Sequence, residues 1–205
     1  MDKSPDAPNR LGVMGGTFDP IHVGHLVAAS EALHRFRLDL VIFAPTGQPW
    51  QKQSYSAAED RYLMTVLGIA PNARFAASRM EIDRQGPTYT ADTMEVLRDF
   101  HGEGVELFFI AGADAAMRLG TWKKVARLAE LAEVIAVTRP GFALDGIERG
   151  PTIPEVRIME MPAIAVSSSE IRQRVSRGEP IDYLVPDVVV RYIEKNGLYV
   201  GGASS

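Results

Sequence analysis

A chain of 205 residues, 46% of them hydrophobic, is long enough to bury a sizeable core. Its net charge of −4 offers no footprint for a nucleic-acid polymer, and the absence of cysteine excludes disulfides, thiolate zinc sites and a cysteine nucleophile. No apolar run reaches the ~20 residues that span a bilayer, and the polar start "MDKSPDAPNR" is unlike a signal peptide. The expectation is a cytoplasmic protein that makes no use of a membrane, with a single domain over residues 11–200 between flexible tails at 1–10 and 201–205.

Leu11–Met14 predicts a first strand, and Val23–Phe36 a helix with Leu26, Val27, Ser30, Leu33 and His34 near one face. Leu40–Ala44 ("LVIFA") reads as a second buried strand closed by Pro45, followed by a helix from about Ala57 to Ile69 and a weak strand near Arg74–Ala77. "GPTYTADTMEVLRDF" reads as a loop entering a helix, with Thr90 as N-cap and Ala91-Asp92 as the helix start. Val105–Ala111 ("VELFFIA") predicts a central strand, after which Gly112-Ala113-Asp114 turns into helical segments carrying Trp122 and Leu128. Val134–Thr138 is a strand ended by "RPG", "VRIMEM" a further strand, and Ser168–Arg177 and Pro186–Asn196 short helices. The alternation points to an α/β fold: a Rossmann-like open parallel sheet with helices on both faces and a small C-terminal helical part.

The chemistry concentrates in "GVMGGTFDPIHVGH", residues 12–25. Glycines behind a first strand let the backbone turn tightly and approach a phosphate, whose charge suits the helix N-terminus that follows. The spacing Gly12, Gly15, Gly16, Gly24 is not the G-x-G-x-x-G dinucleotide fingerprint, which weakens a hydride-transfer reading. Two of the four histidines, His22 and His25, straddle the predicted first helical turn and project to one side, where both could donate to a phosphate. Taken alone, H-x-G-H also reads as a turn with two polar capping residues. A metal site would need a third ligand, and no nearby Asp/Glu–His cluster supplies one. His34 and His101 match no motif and read as ordinary helix-surface or helix-end residues.

The string "GGTFDPIHVGH" resembles the signature of the nucleotidylyltransferase superfamily, whose T/H-x-G-H motif contacts ATP phosphates. "VSSSEIR", Val166–Arg172, resembles that superfamily's second signature, I-S-S-T-x-I-R, with Val for Ile and Ser169 for Thr. The two stand in the right order, about 140 residues apart. Ser168 and Ser169 would present donors at a second helix N-terminus with Arg172 one turn in, so that two helix ends plus His and Arg could hold a triphosphate in an acidic protein.

Further stretches resemble bacterial nicotinate mononucleotide adenylyltransferases in particular. They are "PTGQPWQK" with Lys52, where Trp50 departs from the usual P-P-H-K form; "TYTADTME"; "IAGADAAMRLGTW"; and "VTRPGF". The resemblance implies transfer of AMP from ATP to nicotinate mononucleotide, giving deamido-NAD and pyrophosphate. It assigns His22, His25, Lys52 and Arg172 to the reacting phosphates. Gly15, Gly16, Thr17, Phe18, Gly24, Gly112, Asp114, Arg139, Ser168 and Ser169 fall to ATP, and Tyr89, Thr90 and Trp122 to nicotinate mononucleotide, with Trp122 stacking on the ring. Mg2+ would arrive with ATP, and no dedicated protein metal site is expected.

Each residue also has a structural reading: Lys52 as a solvated loop residue, Trp122 as a core or interface aromatic, Asp114 as a helix N-cap, Arg139 as a surface residue at a strand end. The alternatives in function are another adenylyltransferase, with phosphopantetheine or nicotinamide mononucleotide as acceptor, or a non-catalytic nucleotide-binding sensor. A homo-oligomer is compatible with all of them.

Overall fold

In the computed structural model, residues 8–47, 56–140 and 149–201 are described; Lys52, Trp50 and Gly141 of "RPG" lie outside them, as do residues 1–7 and 202–205 of the expected tails. Strand β1 (Arg10–Gly16) shows how the sequence builds the sheet. Leu11 and Val13 join one apolar cluster and Met14 the opposite one, all at most 4% exposed. The same alternation runs through β4 (Glu106–Gly112), whose Phe108 and Ile110 face one side and Leu107, Phe109 and Ala111 the other. A strand apolar on both faces must lie inside a covered parallel sheet.

That sheet has six strands in the order β3-β2-β1-β4-β5-β6, every pairing parallel. Its other members are β2 (Leu40–Pro45), β3 (Phe75–Ala77), β5 (Ala132–Thr138) and β6 (Val156–Glu160). Helices α1 (Val23–Arg35), α2 (Ala58–Ile69), α6 (Ser168–Ser176) and α7 (Asp187–Asn196) cover the Met14 face. Helices α3 (Thr90–His101) and α5 (Val125–Leu131) cover the Leu11 face. A short α4 (Ala113–Ala116) and a 3-10 turn (Leu119–Thr121) join β4 to α5. This is the Rossmann-like architecture the sequence predicts. Strand order reverses between β1 and β4, so the carboxyl ends of these two strands, Gly15-Gly16 and Gly112, flank the crevice where open α/β sheets bind ligands.

Details differ from the expectations. β1 starts at Arg10, inside the expected tail, because the Asn9 and Arg10 amides donate to the Asp39 carboxylate at 2.7 and 2.9 Å. The buried stripe of α1 is Ala28, Ala29, Ala32 and Leu33, while Ser30 and His34 are exposed; small alanines let the helix lie close on the sheet. Thr90 is the first helical residue of α3 and Tyr89 its N-cap. Trp122 ends the 3-10 turn and is not in an α-helix, and Asp114 sits in the first turn of α4, whose N-cap is Gly112. Among the described residues no helix is long and apolar enough to cross a membrane.

Candidate active site

Helix α1 follows the loop that leaves the carboxyl end of β1 at Gly15-Gly16. His22 is its N-cap, in extended backbone, and its N–H donates to Nδ1 of His25 at 3.2 Å. That bond assigns the His25 proton to Nε2, which makes Nε2 a donor. The two imidazoles stack with centroids 3.7 Å apart and planes 23° from parallel. The pair does project to one side, as its spacing predicts. Gly24 makes room for it: a Cβ there would lie 3.0 Å from Nδ1 of His22 and 3.1 Å from Val166 of the second motif. Among the described residues the buried Nδ1 of His22 has no hydrogen-bond partner. Burial, and secondarily the positive charge of Arg139, lower the His22 pKa to about 4, so its ring is neutral at pH 7.

The second motif closes on the first. Ser167 is the N-cap of α6, accepting from the Glu170 amide at 3.2 Å. Ser168 and Ser169 therefore occupy the first two helical positions. The Ser168 hydroxyl donates to the Pro20 carbonyl at 2.9 Å, a bond spanning 148 residues of chain. Arg172 donates to the Asp19 carbonyl at 2.7 Å and to the Ser169 hydroxyl at 3.1 Å. Two helix N-termini thus meet beside a histidine pair and an arginine, a donor set suited to phosphate oxygens. Among the described residues there is no cluster of three or more His, Cys, Asp or Glu that could hold a metal ion.

Gly15 and Gly16 line the loop below. A Cβ at Gly15 would come within 2.9 Å of the Phe109 ring, and one at Gly16 within 3.0 Å of Phe18. Phe18, 2% exposed with φ of +50°, also sets its ring edge against His25, centroids 5.0 Å apart. Gly112 and Asp114 are exposed at the end of β4, with open space where a Gly112 Cβ would be, and Arg139 is exposed at the end of β5.

Trp122, half-buried, meets Phe109 edge-on at 5.6 Å, which links it through Phe109 to Gly15. At the start of α3, Asp92 accepts from Lys124 Nζ at 2.5 Å and faces Arg84 at 3.5 Å. The same Nζ lies 5.9 Å over the Tyr89 ring. Beneath this loop Glu81 is buried and accepts from the Thr93 hydroxyl at 2.8 Å; burial pushes its pKa up.

Sequence reasoning misses a polar group behind the glycine loop. Arg61, 1% exposed, donates to the carbonyls of Thr17 (2.9 Å) and Gly47 (3.1 Å). Asp19, 2% exposed, accepts from the hydroxyls of Ser56 and of Tyr199, the latter at 2.6 Å. A signal for Arg61 exists, since it shares the helical stripe of Met64, Thr65 and Gly68, all buried. Asp19 sits inside the quoted motif but carries no spacing signature of its own.

A parallel 3-2-1-4-5-6 sheet with an H-x-G-H helix start at its switch point defines a class, and residues 13–174 match the family described as cytidylyltransferase-like. The chain belongs to that family of nucleotidyltransferases. Within it, the chain is 57% identical, over 96% of its length and 97% of the relative's, to a Clavibacter michiganensis protein named "Probable nicotinate-nucleotide adenylyltransferase". A Corynebacterium kroppenstedtii protein of the same name is 54% identical, over 100% of this chain and 99% of its own. The fold is also that of Plasmodium falciparum nicotinic acid mononucleotide adenylyltransferase, solved in complex with NaAD. The TM-score is 0.72 at 18% identity, covering 93% of this chain and 97% of that one. The chain is a member of the nicotinate-nucleotide adenylyltransferase family.

Proposed function

We propose that the α1 and α6 helix ends hold the triphosphate of ATP while the phosphate of nicotinate mononucleotide attacks the α-phosphorus. The new bond joins the mononucleotide oxygen to that phosphorus; the bond to the β-phosphate oxygen breaks, and pyrophosphate leaves with the electron pair. The products are deamido-NAD and pyrophosphate, a step of NAD biosynthesis. The attacking oxygen is already ionised at neutral pH, so the site needs neither a strong base nor a protein nucleophile. Catalysis then consists of in-line positioning and charge stabilisation.

In this reading His22 and His25 donate to the reacting phosphates and Arg172 neutralises them. Lys52 takes the same role on resemblance alone. Gly15, Gly16, Thr17, Phe18 and Gly24 give backbone contact, Gly112 and Asp114 meet the ATP ribose, and Arg139, Ser168 and Ser169 meet the ATP phosphates. Ser168 acts through its backbone amide, because its hydroxyl is committed to Pro20. Magnesium enters as the magnesium salt of ATP, part of the substrate. Trp122 stacks on the pyridine ring, while Tyr89, Thr90 and the first amides of α3 receive the nicotinate carboxylate. Asp92 would repel that carboxylate were it uncovered; Lys124 and Arg84 offset it.

The observation that carries the reading is the meeting of two motifs far apart in sequence, through Ser168 with Pro20 and Arg172 with Asp19. The test is a pyrophosphate-release assay with MgATP and separate acceptors. Nicotinate mononucleotide should give pyrophosphate and deamido-NAD in equal amounts. Turnover with phosphopantetheine instead would move the assignment to another acceptor, and binding of ATP without turnover on any acceptor would make the protein a sensor.

A further inference from the structure

We propose that Asp19 is a positioning residue for Arg172, and that the Tyr199 hydroxyl, from the far end of the chain, holds it in place. Asp19 is 2% exposed, and a carboxylate at that depth needs its oxygens satisfied. Tyr199 donates to Oδ1 at 2.6 Å, the Ser56 hydroxyl donates to the same oxygen, and the Ser56 amide reaches Oδ2 at 3.4 Å. The backbone carbonyl of the same residue accepts Nη1 of Arg172 at 2.7 Å. The side chain is thus fixed in the core while the carbonyl aims a guanidinium. Releasing the carboxylate lets residue 19 turn, and the carbonyl turns with it.

The surroundings support a tuned geometry. Arg61 anchors the neighbouring Thr17 carbonyl at 2.9 Å, and the nearby Asp19 charge favours its cationic form against burial. Burial beside Asp19 also raises the Tyr199 pKa, which keeps the phenol protonated as a donor. Well-packed apolar side chains often replace buried charges with no loss of stability. What a carboxylate adds at this position is a fixed carbonyl direction.

The proposal rests on Arg172 neutralising phosphate, so its test is a double-mutant cycle. Tyr199→Phe removes one O–H and keeps the ring. Kinetics are measured with MgATP and nicotinate mononucleotide at a temperature where circular dichroism shows the variant folded. The expected result is kcat lower by about tenfold with both KM values within about twofold, a fractional-ångström error in aim. Added to Arg172→Ala, the same change should cost no more than about twofold, because the two act through one contact. Ser56→Ala, which removes the other hydroxyl from the same oxygen, should repeat the pattern if Tyr199→Phe folds poorly. Normal kcat in both variants overturns the proposal, and so does a tenfold loss that persists undiminished beside Arg172→Ala. Normal kcat in Arg172→Ala alone overturns both this proposal and the phosphate role of Arg172.

Discussion

At the α1–α6 end of the crevice, polar groups are buried and held from behind. His22 is 7% exposed, and Asp19 and Arg61, the groups that fix the loop beneath it, are deeper still. At the α3 end the ion pair at the helix start lies near the surface, with the Lys124 side chain 53% exposed over an Asp92 that is 22% exposed. Charge interactions at a buried site are strong and poorly screened, whereas exposed pairs are weak and salt-sensitive. The phosphate end can therefore be preorganised for the transition state, while the mononucleotide end is suited to selecting a ligand by its charge.

The largest effect expected from this contrast is kinetic. His22→Ala or His25→Ala should lower kcat by roughly 10²–10³, the scale of one lost transition-state donor, while thermal melting shows the protein folded. Near-normal turnover in both variants would reduce the pair to helix caps and erase the contrast.

Burial at the same end has a signature in stability. His22 has a folded pKa of about 4, below its ordinary 6.5, so the unfolded chain takes up the proton first as pH falls. Its contribution is complete above about pH 6.5 and declines towards pH 4, by up to about 3 kcal/mol. Glu81, raised by burial, works in the opposite direction, its contribution being lost as pH rises. The comparison is therefore between the melting curves of the wild type and His22→Asn across that window. The difference between the two proteins should shrink as pH falls; a pH-independent difference would place the His22 ring in solvent.

At the α3 end, nicotinate should be preferred over nicotinamide mononucleotide by about 10- to 100-fold in kcat/KM, because an amide NH₂ would face N–H donors. Lys124→Ala, which uncovers Asp92, should narrow that ratio in a competition assay read by product composition. Equal use of both ligands by the wild type would reject charge selection and leave adenylyl transfer standing. The smallest change concerns Trp122→Ala, which should raise the mononucleotide KM by about tenfold, in the range of one lost base–aromatic stack. The ATP KM should move little; if both rise together, Trp122 serves only to pack against Phe109.

Legibility in the sequence divides along the same line. Short continuous apolar runs mark β1, β2, β4 and β5, and glycine-to-helix punctuation marks the α1 start, so the sheet and its switch point follow from local pattern. The H-x-G-H pair and VSSSEIR are legible because their donors are adjacent in sequence. The backing of Asp19 by Tyr199 is not, since it joins residues 180 positions apart through a buried contact that leaves no periodic trace. On α1 the expected Leu26, Val27 and Leu33 do pack against the core, but Ser30 and His34 are exposed and Ala28, Ala29 and Ala32 complete the buried face, because alanine is a weak marker of burial.

The central claim is that two helix ends position ATP for direct attack, with no adenylyl group ever carried by the protein. The stereochemical course at the α-phosphorus tests it most directly, using ATP made chiral there by sulfur and nicotinate mononucleotide as acceptor. A single in-line displacement predicts inversion in the dinucleotide product. Retention would require two displacements through a covalent adenylyl-protein intermediate and would contradict the account.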